Sequence, residues 1–165
     1  MSVAHRLGFA ALVCLLAAPA APAGAALIMR KDLSHDMASA VAEGAMQACL
    51  AKGYATSAVV VDRDGETLVA MRGDGAGPHT LENARRKAYT ANTFKQPTAE
   101  YAKKLLDPAS VAHQQVTLPS IIAIDGGVPI KVGNDVIGAA GVSGSPGIDS
   151  ECVNAGIEKI KDQLQ

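Results

Sequence analysis

Ala58-Val59-Val60-Val61-Asp62-Arg63-Asp64-Gly65-Glu66 is the stretch on which the fold turns. Four small or β-branched apolar residues in a row read as a strand, Asp64-Gly65 as a hairpin turn, and Glu66 to Arg72 as the returning strand. The chain doubles back before it reaches its rarest segment, Arg72-Gly73-Asp74-Gly75-Ala76-Gly77-Pro78-His79. A glycine loop that feeds a helix can hold an anion on its backbone N–H groups. The Gly-x-Gly-x-Gly spacing is neither a Walker A motif nor a dinucleotide fingerprint. The antiparallel hairpin ahead of it is also the wrong context for a Rossmann unit.

Upstream, Leu33 to Lys52 reads as a helix, with Ser34 as N-cap, Asp36 in the first turn and Gly53 as the stop. Its apolar positions Met37, Val41, Ala45 and Cys49 recur at helical spacing. Downstream, Thr80 caps a helix to Phe94, a short helix restarts at Pro97-Thr98 and runs to Leu106, and Asp107 to Leu118 is a loop carrying His113. Ser120–Asp125, Val128–Val132 and Val136–Ser143 read as strands separated by Gly126-Gly127 and Gly133-Asn134-Asp135, and Asp149 caps a last helix to Lys161. The order α-β-β-α-α-β-β-β-α, with hairpin-short links inside each strand group, predicts one α+β domain: a five-stranded antiparallel sheet flanked by helices.

The chain opens with a targeting pattern. His5 and Arg6 precede an apolar run, Leu7 to Ala21, and Ala23-Gly24-Ala25 suits a signal peptidase, which predicts a leader over residues 1–25 and a domain over 26–165. The apolar run is too short for a good membrane span, so no stable membrane insertion is expected after cleavage. A lipoprotein reading at Cys14 is weak, because Val13 stands where a small residue is wanted. The expected location is the periplasm or the exterior. A mature chain of about 140 residues suits a single core. Loss of Arg6 from 15 basic residues leaves 14 against 16 acidic ones, a balance that argues against nucleic acid as partner. Cys49 and Cys152 remain. They form a disulfide if their two helices are neighbours, and are otherwise two small buried hydrophobes. No CxxC and no Cys/His cluster with zinc spacing occurs.

Chemistry-bearing residues cluster around the glycine loop. Arg85-Arg86-Lys87 is a basic run, and Arg86, Tyr89 and Thr90 share one helix face, able to receive carboxylates or to lie solvated. His79 at the loop–helix junction and His113 in the long loop are candidate metal ligands through a neutral imidazole, or plain polar loop residues. Ser143 in Gly141-Val142-Ser143-Gly144 lacks both the glycine spacing and the α/β context of a nucleophile elbow. The acids show no paired-carboxylate signature. No catalytic residue is assigned, and a binding protein is favoured over an enzyme.

As an ordered set, several motifs resemble the GlcG/HbpS-like family of haem-binding proteins: Val60-Val61-Asp62-Arg63-Asp64-Gly65, Gly73-Asp74-Gly75-Ala76-Gly77-Pro78, Arg86-Lys87-Ala88-Tyr89-Thr90-Ala91, Gln96-Pro97-Thr98, Gly126-Gly127-Val128-Pro129-Ile130 and Gly138-Ala139-Ala140-Gly141-Val142-Ser143-Gly144. The resemblance spans about Leu33 to Ile160. It implies a profilin-like antiparallel sheet flanked by helices, a homo-oligomer, and haem as cofactor, with roles in haem or iron sensing, storage or breakdown. Other members are encoded with glycolate oxidation genes. Haem-binding members can offer a hydroxyl to the iron at the start of the third strand, where this chain has Ser120 and then Ile121, one residue out of step. Either another group ligates the iron, with His79 and His113 the candidates, or haem binding is weak or lost. Arg86, Lys87 and Thr90 match and would receive propionates, and Gly75 and Gly77 would line the slot. The expectation is an exported, oligomeric haem-binding protein. The alternatives are an enzyme or accessory protein that binds a small carboxylate such as a 2-hydroxy acid, and a structural or interaction module.

Overall fold

A computed structural model of the chain describes residues 26–165. The leader expected over 1–25, Cys14 included, lies outside the described residues. The elements are α1 (His35–Leu50), β1 (Ser57–Asp62), β2 (Thr67–Arg72), α2 (Thr80–Phe94), α3 (Thr98–Lys103), α4 (Ala112–Gln115), β3 (Gly127–Val132), β4 (Asp135–Ser143) and α5 (Asp149–Glu158), with single 3-10 turns after α3 and near the C-terminus. The sheet runs β2-β1-β4-β3 with every neighbour antiparallel. The α+β class and the first hairpin are as read.

Three layers explain why β1 is apolar without alternation. Ala58 and Val60 face one way, into a core with Val41, Ala45 and Cys49 of α1 and Cys152 and Val153 of α5. Val59 and Val61 face the other way, onto Ala84, Ala88 and Ala91 of α2. A strand buried on both faces needs no polar face. The alanines let α2 lie close. A Cβ on Gly141 of β4 would meet the Ala84 carbonyl at 2.2 Å, so glycine there sets the helix–sheet distance. Gly156 plays the same part between α5 and α1, where an added Cβ would meet the Val41 carbonyl at 2.2 Å.

The close crossing of α1 and α5 settles the cysteines. Cys49 and Cys152 are joined in a disulfide with their Cα atoms 5.5 Å apart, both sulfurs in the core.

One expected strand does not form. Ser120–Asp125 is irregular, and the sheet has four strands rather than five. The backbone of this segment is satisfied from α2 instead. The Ile122 N–H donates to Thr90 Oγ1 at 2.9 Å, and Arg86 Nη2 donates to the Ile121 carbonyl at 2.6 Å. Ile121 then packs with Tyr101 and Ala112 under the stacked rings of Phe94 and Tyr101. His113 also departs from the expected loop: it lies within the short helix α4.

Candidate functional site

The glycine loop is held by its flanks. Gly73 N–H donates to the Thr56 carbonyl at 2.9 Å, and Arg72 Nε donates to the Ala76 carbonyl at 3.1 Å. Thr80, expected as a cap, is inside α2. It donates its hydroxyl to the Gly77 carbonyl at 2.7 Å, so the Ser57 hydroxyl, also 2.7 Å away, donates to it. The loop end and the first turn of α2 are thereby pinned to the start of β1.

Across from this wall the chain leaves β4 through Ser143–Gly147. Between the two walls lies a cleft of about 610 Å³, within the range of small-molecule sites. Gly75, Gly77, His79 and Lys87 line it on one side, and Asp125, Ser143, Gly144 and Asp149 on the other. Tyr54, Ile124 and Pro146 supply exposed apolar surface at its rim.

Its floor is a buried ion pair. Lys87, 1 % exposed, donates to Asp149 Oδ2 at 2.6 Å and to the Val142 carbonyl at 3.0 Å. Asp149, 6 % exposed, accepts on Oδ1 from the backbone N–H and the hydroxyl of Ser145, at 2.9 and 2.6 Å. A buried pair with its remaining hydrogen-bonding positions filled is the arrangement that offsets charge desolvation. Ser145 Oγ also lies 2.9 Å from Cys49 Sγ, so the floor abuts the disulfide. Asp149 was read only as a helix cap. It does not cap α5 but ties α2 to the loop after β4. The signal that points to it is Lys87 itself: its Cα shares the apolar face of α2 with Ala84, Ala88 and Ala91, and a lysine there needs an acid.

The sequence-derived set divides in space. Gly75, Gly77, His79 and Lys87 share the cleft. Arg86 and Thr90 instead hold the 121–122 backbone. Ser120 Oγ lies 3.5 Å from Arg85 Nη2, whose guanidinium forks onto Glu82 at 2.9 Å. That hydrogen bond holds the Glu82 carboxyl below its usual range and raises Arg85. His113 is exposed on α4 with Nε2 3.1 Å from the Asp107 carbonyl, and it is not among the residues of the cleft. The His79 imidazole makes no side-chain hydrogen bond as helix cap and stands exposed at the cleft wall.

A family model described as "Haem degrading protein HbpS-like" matches residues 33–158. The chain belongs to the HbpS-like family. Protein GlcG of Escherichia coli K12 is 32 % identical to it over 111 residues, which cover 67 % of this chain and 81 % of GlcG. An uncharacterised 15.0 kDa protein of Citrobacter freundii is 38 % identical over 86 residues, covering 52 % of this chain and 61 % of that one. The crystal structure of a double mutant of Streptomyces reticuli HbpS superposes with a TM-score of 0.76 at 36 % identity, covering 87 % of this chain and 97 % of that one. The resemblance read from the motifs is thus the family found by comparison. In this chain the glycine loop, α2 and the loop after β4 together frame the cleft.

Proposed function

We propose that the protein binds haem in the cleft between the glycine loop and the loop after β4, with the iron on His79. The observation that carries this reading is an exposed imidazole, with no side-chain hydrogen bond among the described residues, at the wall of a cleft of ligand size, in a chain of a family described by haem degradation. The residues present fit haem through the iron: a neutral imidazole is a common axial ligand, and Tyr54, Ile124 and Pro146 offer apolar contact. They provide less for the propionates. Lys87, the only basic side chain of the cleft besides His79, is already paired with Asp149. Haem bound there would supply redox-active iron. The chain's own part is to present the imidazole, hold the two walls and keep the floor neutral.

A small carboxylate is the weaker reading. With Lys87 neutralised by Asp149, the further carboxylate of Asp125 opposes a second anion. The protein is read further as exported, to the periplasm or beyond, and as a homo-oligomer. The run over Leu7–Ala21 and a buried disulfide suit export. Exposed Leu106, Val111, Leu118 and Ile124 suit a subunit contact. Sensing, storage and breakdown of haem are the roles that such a protein would serve.

The test is a haemin titration of the leader-free protein read by Soret absorbance, with His79→Ala, His113→Ala and competing glycolate. Saturation that is lost in His79→Ala and kept in His113→Ala is expected, without competition by glycolate. Undiminished binding by His79→Ala would overturn the ligand assignment. No saturable Soret change would overturn haem and favour a carboxylate or an interaction module.

A further inference from the structure

A second cleft lies on the other side of Tyr54 and Ala55, between the last turns of α1, the α1–β1 turn and the end of β2. Its volume is about 450 Å³, and its walls are more apolar than those of the His79 cleft. Met46 and Met71 form the inner wall, and Leu50, 67 % exposed, stands at the edge with Tyr54. An aliphatic side chain so exposed beside a concave apolar wall leaves a surface that water covers poorly. Thioethers are polarisable and adapt to the shape of what they touch, as expected of a site for a varied apolar body.

The charge of this cleft has one sign. Glu43 and Asp74 line it, no lysine or arginine does, and neither acid forms an ion pair among the described residues. Thr56 lines the cleft as well, 2 % exposed, and its Oγ1 has no hydrogen-bond partner among the described residues. A buried hydroxyl without a partner is destabilising relative to a satisfied one, and its oxygen can accept from an N–H donor. The Tyr54 ring adds a π face for a cation.

We propose that this cleft binds a small organic ammonium: an alkyl or aromatic body against Met46, Met71 and Leu50, with the cationic head toward Glu43 and Asp74. The inference is independent of haem. It uses a separate cleft, which shares only the Tyr54–Ala55 wall with the first. The same two carboxylates exclude fatty acids and other apolar anions.

The experiment titrates leader-free, disulfide-intact protein at low salt with hexylammonium, hexanol and hexanoate. It is read by calorimetry and by the methyl resonances of Met46 and Met71 in protein carrying labelled methionine. Hexylammonium is expected to saturate and to shift both methyls. Affinity should fall about fivefold in the Glu43→Gln/Asp74→Asn variant and at high salt, as exposed charge contributions do, and should vanish in Leu50→Arg. All three positions are exposed, and an unchanged melting temperature verifies the fold of each variant. Equal binding of hexanol or hexanoate would overturn the proposal. So would the absence of any methyl shift, or shifts that follow protein dilution alone, which would mark the cleft as the seat of a second copy.

Discussion

Lys87 is buried, and its ammonium ties α2 to Asp149 and to the Val142 carbonyl. Removing one partner of a buried, hydrogen-bonded pair leaves the other charge without compensation and costs about 3–5 kcal/mol. Lys87→Met and Asp149→Asn are therefore each expected to lower stability by that order in urea denaturation. The joint Lys87→Met/Asp149→Leu change should recover a large part of the loss. Equal losses in single and double variants would show that the pair itself holds the floor together. Tyr101 makes a prediction in pH. Its side chain is fully buried, and desolvation raises its phenol above the ordinary value of 10.0. The folded state then keeps a proton that the unfolded state releases. Its contribution to stability is complete below about pH 10 and is lost as pH rises toward the folded value. Tyr101→Phe should flatten the alkaline fall in melting temperature, and an unchanged slope would assign that fall to other groups.

At the scale of elements, the glycines at the α2–sheet contact and the α1–α5 crossing, and the irregular 121–123 segment, show how packing overrides local pattern. Gly141→Ala and Gly156→Ala each place a Cβ 2.2 Å from a backbone carbonyl. Overpacking of this kind costs about 1–3 kcal/mol or more, so both variants should melt well below the parent. Thr90→Val keeps the shape of the side chain and removes the acceptor of the Ile122 N–H. The expected loss is about 1–3 kcal/mol, together with faster amide exchange at Ile122. Protection that survives in Thr90→Val would mean that the segment has another partner. Nothing near Ser120–Asp125 foretold this. An apolar run of four, Ile121-Ile122-Ala123-Ile124, reads equally as a strand or as a buried irregular segment, and the groups that decide between them, Arg86 and Thr90, lie some 30 residues earlier.

For the whole molecule, the disulfide joins α1 to α5, two cysteines 103 positions apart in the chain. In the loop-entropy account such a closure is worth about 4–5 kcal/mol. Both cysteines are buried, at 0 % and 1 % exposed. Mild reductant should leave the folded protein oxidised, whereas Cys49→Ala/Cys152→Ala should unfold at markedly lower urea. Rapid reduction without unfolding would show that α1 and α5 separate readily.

Periodicity, turn chemistry and composition by themselves determined the α+β class, the first hairpin, the helices α1, α2 and α5, and the glycine motifs that mark the HbpS-like family. These are local signals: a run of valines, an Asp-Gly turn, a capped helix. That Gly75, Gly77, His79 and Lys87 lie close together was legible for the same reason, since each belongs to or borders the loop and helix that the motifs announce, and the structure places them in one cleft. What only the tertiary structure decided depends on contacts between distant parts of the chain. The Cys49–Cys152 pairing required α1 and α5 to cross. The four-strand sheet required α2 to satisfy the 121–122 backbone. The division of the basic helix, Lys87 inward to Asp149 and Arg86 across to Ile121, required both faces of α2 to be buried. A sequence shows that a lysine, a threonine and an arginine are present. Which of them is left to meet a ligand is settled by which buried groups needed them first, because an unsatisfied polar group in a core costs more than a single surface contact returns.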